Sequence, residues 1–247
     1  MVQSPLAIYQ LSDGYCYNTD SLILAHFAKD FIRSGNRVLD IGAGSGILGL
    51  LCARERPISL EMVELDSKAC FLARLNADNT KFAKEVIIHN QNIFDFQAQG
   101  LFDVVISNPP FYNANIIKSP NERKNIARIQ DSMPLDKLAK YIKRLIKPRG
   151  NLLMCYDARE CYNVFFALRS AGIFLQNLRF VYPLRDKSAT LVLIQAKIDY
   201  KGDVNVLPPL FTHNSPNQQD NTKDLQAIYQ WAKTFSIKVH SQDIDTN

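Results

Sequence analysis

The chain has no Cys-x-x-Cys pair, and its four histidines, His26, His89, His213 and His240, are scattered without the spacing of metal ligands. A tetrahedral centre needs clustered thiolate or imidazole donors, so no metal is expected. Five cysteines, Cys16, Cys52, Cys70, Cys155 and Cys161, form an odd set, several of them inside apolar patterns where a thiol behaves as a small hydrophobe. They read as reduced and structural. No apolar run approaches the ~20 residues that cross a bilayer, and Met1-Val2-Gln3-Ser4-Pro5 lacks the charged flank and apolar core of a signal peptide, so a cytoplasmic protein is expected. Internal repeats and long low-complexity tracts are missing too. What remains is a chain of 247 residues, 47% hydrophobic and 21% charged, which is ample for one sizeable core and rules out disorder or a fibre.

The net charge of +5 is modest, but it is unevenly distributed. Between Lys118 and Arg149 there are ten Lys or Arg against three acids, or +7, which leaves 19 bases against 21 acids, or −2, elsewhere. One basic segment on a near-neutral body fits a nucleic-acid footprint, with Lys118, Arg123, Lys124 and Arg128 as candidate phosphate contacts. A solvated helix face is the other reading, because Lys137, Lys140, Arg144 and Lys147 recur at helical spacing.

Short apolar runs alternate with amphipathic stretches, the pattern of a parallel sheet covered on both faces. Strands are expected at 37–41, 60–64, 85–89, 103–107, 151–156, 174–182 and 190–196, and helices at 20–32, 46–56, 67–79, 135–146, 158–170 and 225–234. The short turn from Pro183 to Ser188 predicts an antiparallel hairpin closing the sheet. A polar stretch from Asn113 to Met133 reads as a substrate-side loop. The stretch from Asp203 to Thr222 reads as a tether to a terminal helix docking through Leu225, Ile228, Ala232 and Phe235. The expected organisation is an N-terminal helical, lid-like segment (1–36), an α/β domain (37–200) and a C-terminal loop and helix (201–247).

After the first of these strands comes Asp40-Ile41-Gly42-Ala43-Gly44-Ser45-Gly46, opening a helix. Gly42, Gly44 and Gly46 permit positive φ and let a ligand lie against bare backbone. Nicotinamide and flavin enzymes use a related turn, but the third glycine of the dinucleotide fingerprint is out of place here. Asp40 would also repel a pyrophosphate, whereas it suits a cationic amino acid headgroup. The second strand ends in Val63-Glu64-Leu65-Asp66, an acid 18 residues beyond Gly46 and close to the ~20 of a ribose-hydroxyl acceptor. Glu64 is the better candidate, and Asp66 reads as a helix cap. The two motifs together fit S-adenosylmethionine.

The fourth strand runs into Ser107-Asn108-Pro109-Pro110-Phe111-Tyr112. Two prolines after a strand fix a rigid turn with free carbonyl acceptors, Asn108 adds an oxygen acceptor, and Phe111 offers a stacking face. Such a site matches a planar NH2 group.

The Asp40–Gly46 turn with Asn108-Pro109-Pro110-Phe111 resembles the class I S-adenosylmethionine-dependent methyltransferases that act on exocyclic amino or amide nitrogens. Upstream, the run from Gly14 to Ala25, with Tyr17 and Asp20 inside it, is similar to the opening motif of a smaller branch that methylates N6 of the adenine beside the anticodon of valine tRNA. The resemblance spans about Gln10 to Ala196. It implies a doubly wound, Rossmann-like seven-stranded sheet with an antiparallel last strand. It further implies cofactor contacts at Tyr17, Asp20, Asp40, the glycines, Glu64, Asn92, Ile93 and Asn108, and target-amine contacts at Asn108 to Phe111. Where the branch usually has an acid after the third strand, this chain has Asn92, whose amide oxygen can still accept a hydrogen bond. A monomeric enzyme acting on the tRNA anticodon loop, without metal or membrane, is expected.

Other readings stay open on sequence. Methylation of a release-factor glutamine uses a similar Asn-Pro-Pro, although those enzymes carry a long helical domain ahead of the glycine turn and only 39 residues precede Asp40 here. Methylation of another RNA or DNA base amine shares the fold. A catalytically silent RNA-binding platform is the non-enzyme alternative.

Overall fold

The computed structural model of the chain describes residues 5–14, 16–80, 82, 85–110 and 133–244. The chain opens with β1 (Leu6–Leu11) and α1 (Thr19–Ala28), then runs through β2 (Arg37–Ile41), α2 (Ile47–Glu55), β3 (Ser59–Glu64), α3 (Ser67–Asp78), β4 (Val86–Asn90) and β5 (Phe102–Ser107). After 111–132 come α4 (Leu135–Leu145), β6 (Ile146–Asp157), α5 (Cys161–Ala171), β7 (Ile173–Tyr182) and β8 (Leu191–Ile198). Two short strands follow, β9 (Asn205–Val206) and β10 (Leu210–Phe211), and the described chain ends with α6 (Lys223–Ala232) and β11 (Thr234–Val239).

Seven strands lie in the order β4-β3-β2-β5-β6-β8-β7, and β8 runs antiparallel to both its neighbours. This is the class I methyltransferase order of strands that the hairpin implied. The central strands are near-continuous apolar runs because both faces are covered. Along β2, β5 and β6 the side chains alternate between two cores. Val38, Val104, Ile106, Leu153 and Cys155 face α1, α2, α3 and α6, while Leu39, Ile41, Val105, Leu152 and Met154 face α4 and α5. The chain leaves β2 toward β3 and β4, then returns to place β5 on the other side of β2. Strand order reverses there, and open α/β sheets bind ligands at such a crevice.

The ends of the described chain depart from expectation. Leu6–Leu11, not singled out as a strand, pairs in parallel with β11 along its whole length. Residues 203–222, read as a tether, instead place β9 and β10 on the open edge of β7. Two-residue strands around Pro208-Pro209 carry no readable period. Leu225, Ile228 and Ala232 of α6 are buried as expected, but Phe235 is not on that face: Lys233, at φ 42°, ends the helix, and Phe235 stands half-exposed on β11. Arg54 of α2 donates to the carbonyls of Trp231 and Ala232, at 2.7 and 2.6 Å, placing a cation at the negative end of α6.

β1 is also tied inward. Asn76, fully buried on α3, accepts the Tyr9 N–H at 2.8 Å and donates to the carbonyls of Tyr9, at 2.9 Å, and Ser45, at 2.8 Å. One side chain thus fastens both the first strand and the glycine turn. Truncating it strands three buried backbone groups, so Asn76→Ala is expected to cost about 2–4 kcal/mol of stability. Urea unfolding checks this, and a loss below about 1 kcal/mol would mean water takes over the three bonds.

Candidate active site

Four parallel strands end in a row, and each contributes one element of the site. From β2 the turn at Gly42, Gly44 and Gly46 takes φ values of +70°, +55° and +83°. The N–H of Gly42 donates to the Val63 carbonyl at 2.9 Å, so the turn folds back over the end of β3. Among the described residues, a Cβ on Gly44 would meet no atom within 4 Å, which leaves space above the turn.

Glu64, at the end of β3, holds this turn. Its Oε2 accepts the Gly44 N–H at 2.8 Å and its Oε1 accepts the Asp66 N–H, also at 2.8 Å. Burial raises its pKa, and the backbone N–H groups of Asp66, Gly44 and Leu65 oppose the rise. A carboxylate has about four acceptor positions, so these three donors leave one for a further donor. Asp66 caps α3, accepting from the N–H groups of Lys68 and Ala69.

Asp40 sits beneath the turn and not in its mouth. It is 1% exposed, its Oδ2 accepts the Gly49 N–H of α2 at 2.9 Å, and its buried Oδ1 has no partner among the described residues. Burial pushes its carboxyl up to about 7, the Gly49 bond pulls it down, and the Glu64 charge adds to the rise. So raised, the carboxyl holds its proton over the acid range, and a nearby cation would favour its ionised form.

Asn108 extends from β5 beside the turn, the two strand ends joined by the Ser107 hydroxyl, which donates to the Ile41 carbonyl at 2.9 Å. Its amide is held from two sides. Nδ2 donates to Ser21 Oγ of α1 at 3.1 Å, and Oδ1 accepts the Cys155 thiol of β6 at 3.1 Å. Cys155 is fully buried; burial, with the nearby Asp20 charge, keeps it a neutral S–H donor. Pro109 is buried and Pro110 half-buried. Ser21 and Cys155 were not singled out by sequence as site residues, since 87 and 47 positions separate them from Asn108.

Asn18 caps α1 and also donates to Asp20 at 2.9 Å, against a pKa rise from burial. The Tyr17 N–H is held by Gln10 Oε1 at 2.9 Å, its ring against the core. Beyond β4, Asn92 spends one side-chain lone pair on the Phe94 N–H at 3.0 Å, and Ile93 is buried in the core below. Phe111, Lys118, Arg123, Lys124 and Arg128 lie outside the described residues. Of the helical basic set, Lys137, Lys140 and Arg144 stand on the exposed face of α4, while Lys147 pairs with Asp103 at 2.8 Å.

The methyltransferase small domain family matches residues 13–127. A tRNA1(Val) (adenine(37)-N6)-methyltransferase of Phocaeicola vulgatus is 30% identical over 181 residues, 72% of this chain and 75% of that protein. The chain belongs to this methyltransferase family. The identically named protein of Dyadobacter fermentans is 28% identical over 89% of this chain and 90% of its own length. Among solved structures, a predicted O-methyltransferase of Agrobacterium tumefaciens superposes with a TM-score of 0.65 at 16% identity, covering 89% of this chain and 100% of that one. The ribosomal protein L11 methylase of Lactobacillus delbrueckii reaches 0.57 at 14%, over 74% of this chain and 81% of that one. These two likenesses concern the fold alone. The protein is an S-adenosylmethionine-dependent methyltransferase; among the described residues, the space over Gly44, the remaining acceptor position of Glu64 and the unpartnered Asp40 oxygen fit a ligand with hydroxyls and a cationic end.

Asp40 ionises near 3.8 in an unfolded chain and about 7 in the folded one. The native state therefore holds the extra proton between those values, and stability falls as pH rises through that window. Urea unfolding of the cofactor-free enzyme from pH 4 to pH 7 is expected to show a loss on the order of a few kcal/mol. Asp40→Asn, which keeps an acceptor for Gly49, flattens the profile; an unaltered slope would assign the loss to other groups.

Proposed function

We propose that this methyltransferase transfers a methyl group to the exocyclic N6 amine of an adenine in tRNA, at the anticodon loop, in the cytoplasm. The observation that carries the reading is the Asn108-Pro109-Pro110 turn: an amide locked by Ser21 and Cys155, next to a glycine turn open to the cofactor. The names of the relatives from Phocaeicola and Dyadobacter support the choice of base and RNA.

The bound cofactor supplies an electrophilic methyl group on a cationic sulfur. On this reading Glu64 accepts from the ribose hydroxyls, the turn with Asp40, Gly42, Gly44 and Gly46 takes the amino acid end, and Asn92 and Ile93 border the adenine. Tyr17 and Asp20 close the side nearest α1.

Asn108 and Pro109 handle the target amine. An arylamine is a poor nucleophile because its lone pair is delocalised into the ring. Acceptors at Asn108 Oδ1 and the Pro109 carbonyl draw its two hydrogens out of the ring plane and return electron density to nitrogen. Neither acceptor is basic enough to keep the proton released after transfer, so it passes to water. The orientation of the Asn108 amide therefore matters. The Ser21 hydroxyl can donate or accept and serves either orientation, whereas a thiol donates to oxygen far better than it accepts from N–H. Cys155 thus selects the orientation that turns oxygen toward the amine. Phe111 holds the base by stacking, and Lys118, Arg123, Lys124 and Arg128 contact phosphates.

Asn108→Ala is expected to lower turnover on tRNA by about a hundredfold or more with cofactor affinity nearly unchanged. Cys155→Ala should lower turnover by about three- to tenfold at unchanged KM for the cofactor, and Cys155→Ser should restore most of it. Labelled-methyl transfer followed by nucleoside analysis measures both. A product methylated on a ring nitrogen, or near-normal turnover of Asn108→Ala, overturns the reading.

A further inference from the structure

We propose that a second RNA-binding element, a base-stacking groove between α5 and the start of β7, engages unpaired nucleotides of the RNA substrate outside the reacting loop. The inference rests on the RNA reading above for its partner. The groove has a volume of about 410 Å³ and is walled by Tyr162, Phe166 and Arg169 on α5, Phe174 on β7, and Tyr200 and Lys201 after β8. It starts near the rim that carries Asn108, since Tyr162 follows the carboxyl end of β6 by five residues, and it descends along α5 toward the opposite end of the sheet.

Three features favour a nucleic acid over another occupant. First, large aromatics are left in water. Tyr162 and Phe166 are 76% and 61% exposed, one helical turn apart, with ring planes 16° from parallel and centroids 6.4 Å apart. Aromatic faces presented in this way accept any base by stacking. Second, the residues walling the groove include two cations, Arg169 and Lys201, and no acid. The Arg169 guanidinium lies over the Phe174 ring at 4.8 Å, and among the described residues it forms no ion pair, so its N–H edge is free for phosphate. Asp199 and Asp203 border the groove without walling it. Third, α4 adds cations near the far end of α5: Lys143 reaches Gly172, which ends that helix, and Lys140 and Arg144 are exposed on the same element. An apolar floor with cationic edges suits a splayed, unpaired strand. A second copy of this chain in a twofold contact would bring the same patch, again two cations and no acid, so that face would gain no ion pair.

The test uses the full-length enzyme and two probes, bulk tRNA and a synthetic anticodon stem-loop. Fluorescence anisotropy at fixed ionic strength is expected to show tRNA affinity about ten- to hundredfold weaker for Tyr162→Ala/Phe166→Ala, the loss associated with one or two stacked bases. Arg169→Ala should weaken binding less and lower its salt dependence. Methyl transfer to the stem-loop stays at the wild-type rate in both variants, since none of these side chains holds Asn108, which is fixed by Ser21 and Cys155. Unchanged tRNA affinity in the double variant overturns the proposal. So does an equal loss on the stem-loop, or a wild-type dimer that the double variant dissociates in sedimentation, which would make the groove a self-association face. Failure of the tRNA-methylation reading is scored separately, as a wild-type enzyme that methylates neither probe while the groove variants still change RNA binding.

Discussion

The site depends on one hydrogen bond, from the Gly44 N–H to Glu64, at 2.8 Å. A turn with three glycines at positive φ has little conformational preference of its own, and its backbone loses more entropy on folding than any other sequence would. The Glu64 carboxylate fixes it from the next strand, while Asp40 fixes the helix that follows through Gly49. The two acids are near enough for one charge to raise the pKa of the other. Shape and electrostatics are therefore set by the same pair: the carboxylates that define the cradle have their pKa values raised by burial, and that of Asp40 also by the Glu64 charge.

From that cradle the rest of the site is a matter of register. Ile41 lies level with Val63 on one side and with Ser107 on the other, so the turn, Glu64 and Asn108 emerge from three neighbouring strands at one height. Cys155 follows on the next strand, one residue past the Ser107–Met154 pair, and α1 crosses above it to bring Ser21 to the amide. A parallel sheet gives such alignment without any loop having to find it, because all its carboxyl ends share an edge.

The seven main strands were legible because each is an apolar run between turn signals, and six helices because their apolar positions recur at helical spacing. The β1–β11 pairing was not, since it joins residues 228 apart in sequence and neither strand is strongly patterned. At the candidate site, the glycines, Glu64, Asn108 and the two prolines, which neighbouring strand ends bring together, were readable from motif and spacing. Those that act by tertiary contact were not. Cys155 looked like a core thiol, and in packing terms it is one; its bond to Asn108 exists only once β6 lies beside β5. Asn76 did leave a trace, an amide on the same helix face as Leu72 and Ala73, where an apolar residue would otherwise be expected.

The parallel pairing of β1 with β11 has a consequence for how the molecule is made. Synthesis runs from the amino end, so Leu6–Leu11 leaves the ribosome long before Thr234–Val239 exists. A strand edge without its partner contributes little, and closing so long a chain segment is entropically costly until the intervening sheet is built. Asn76 binds β1 and the Ser45 carbonyl together, so the strand that waits on β11 is fastened to the glycine turn. The nascent chain thus carries the glycine turn at residues 42–46 long before the β1–β11 pair beside it can form, which needs translation to pass residue 239.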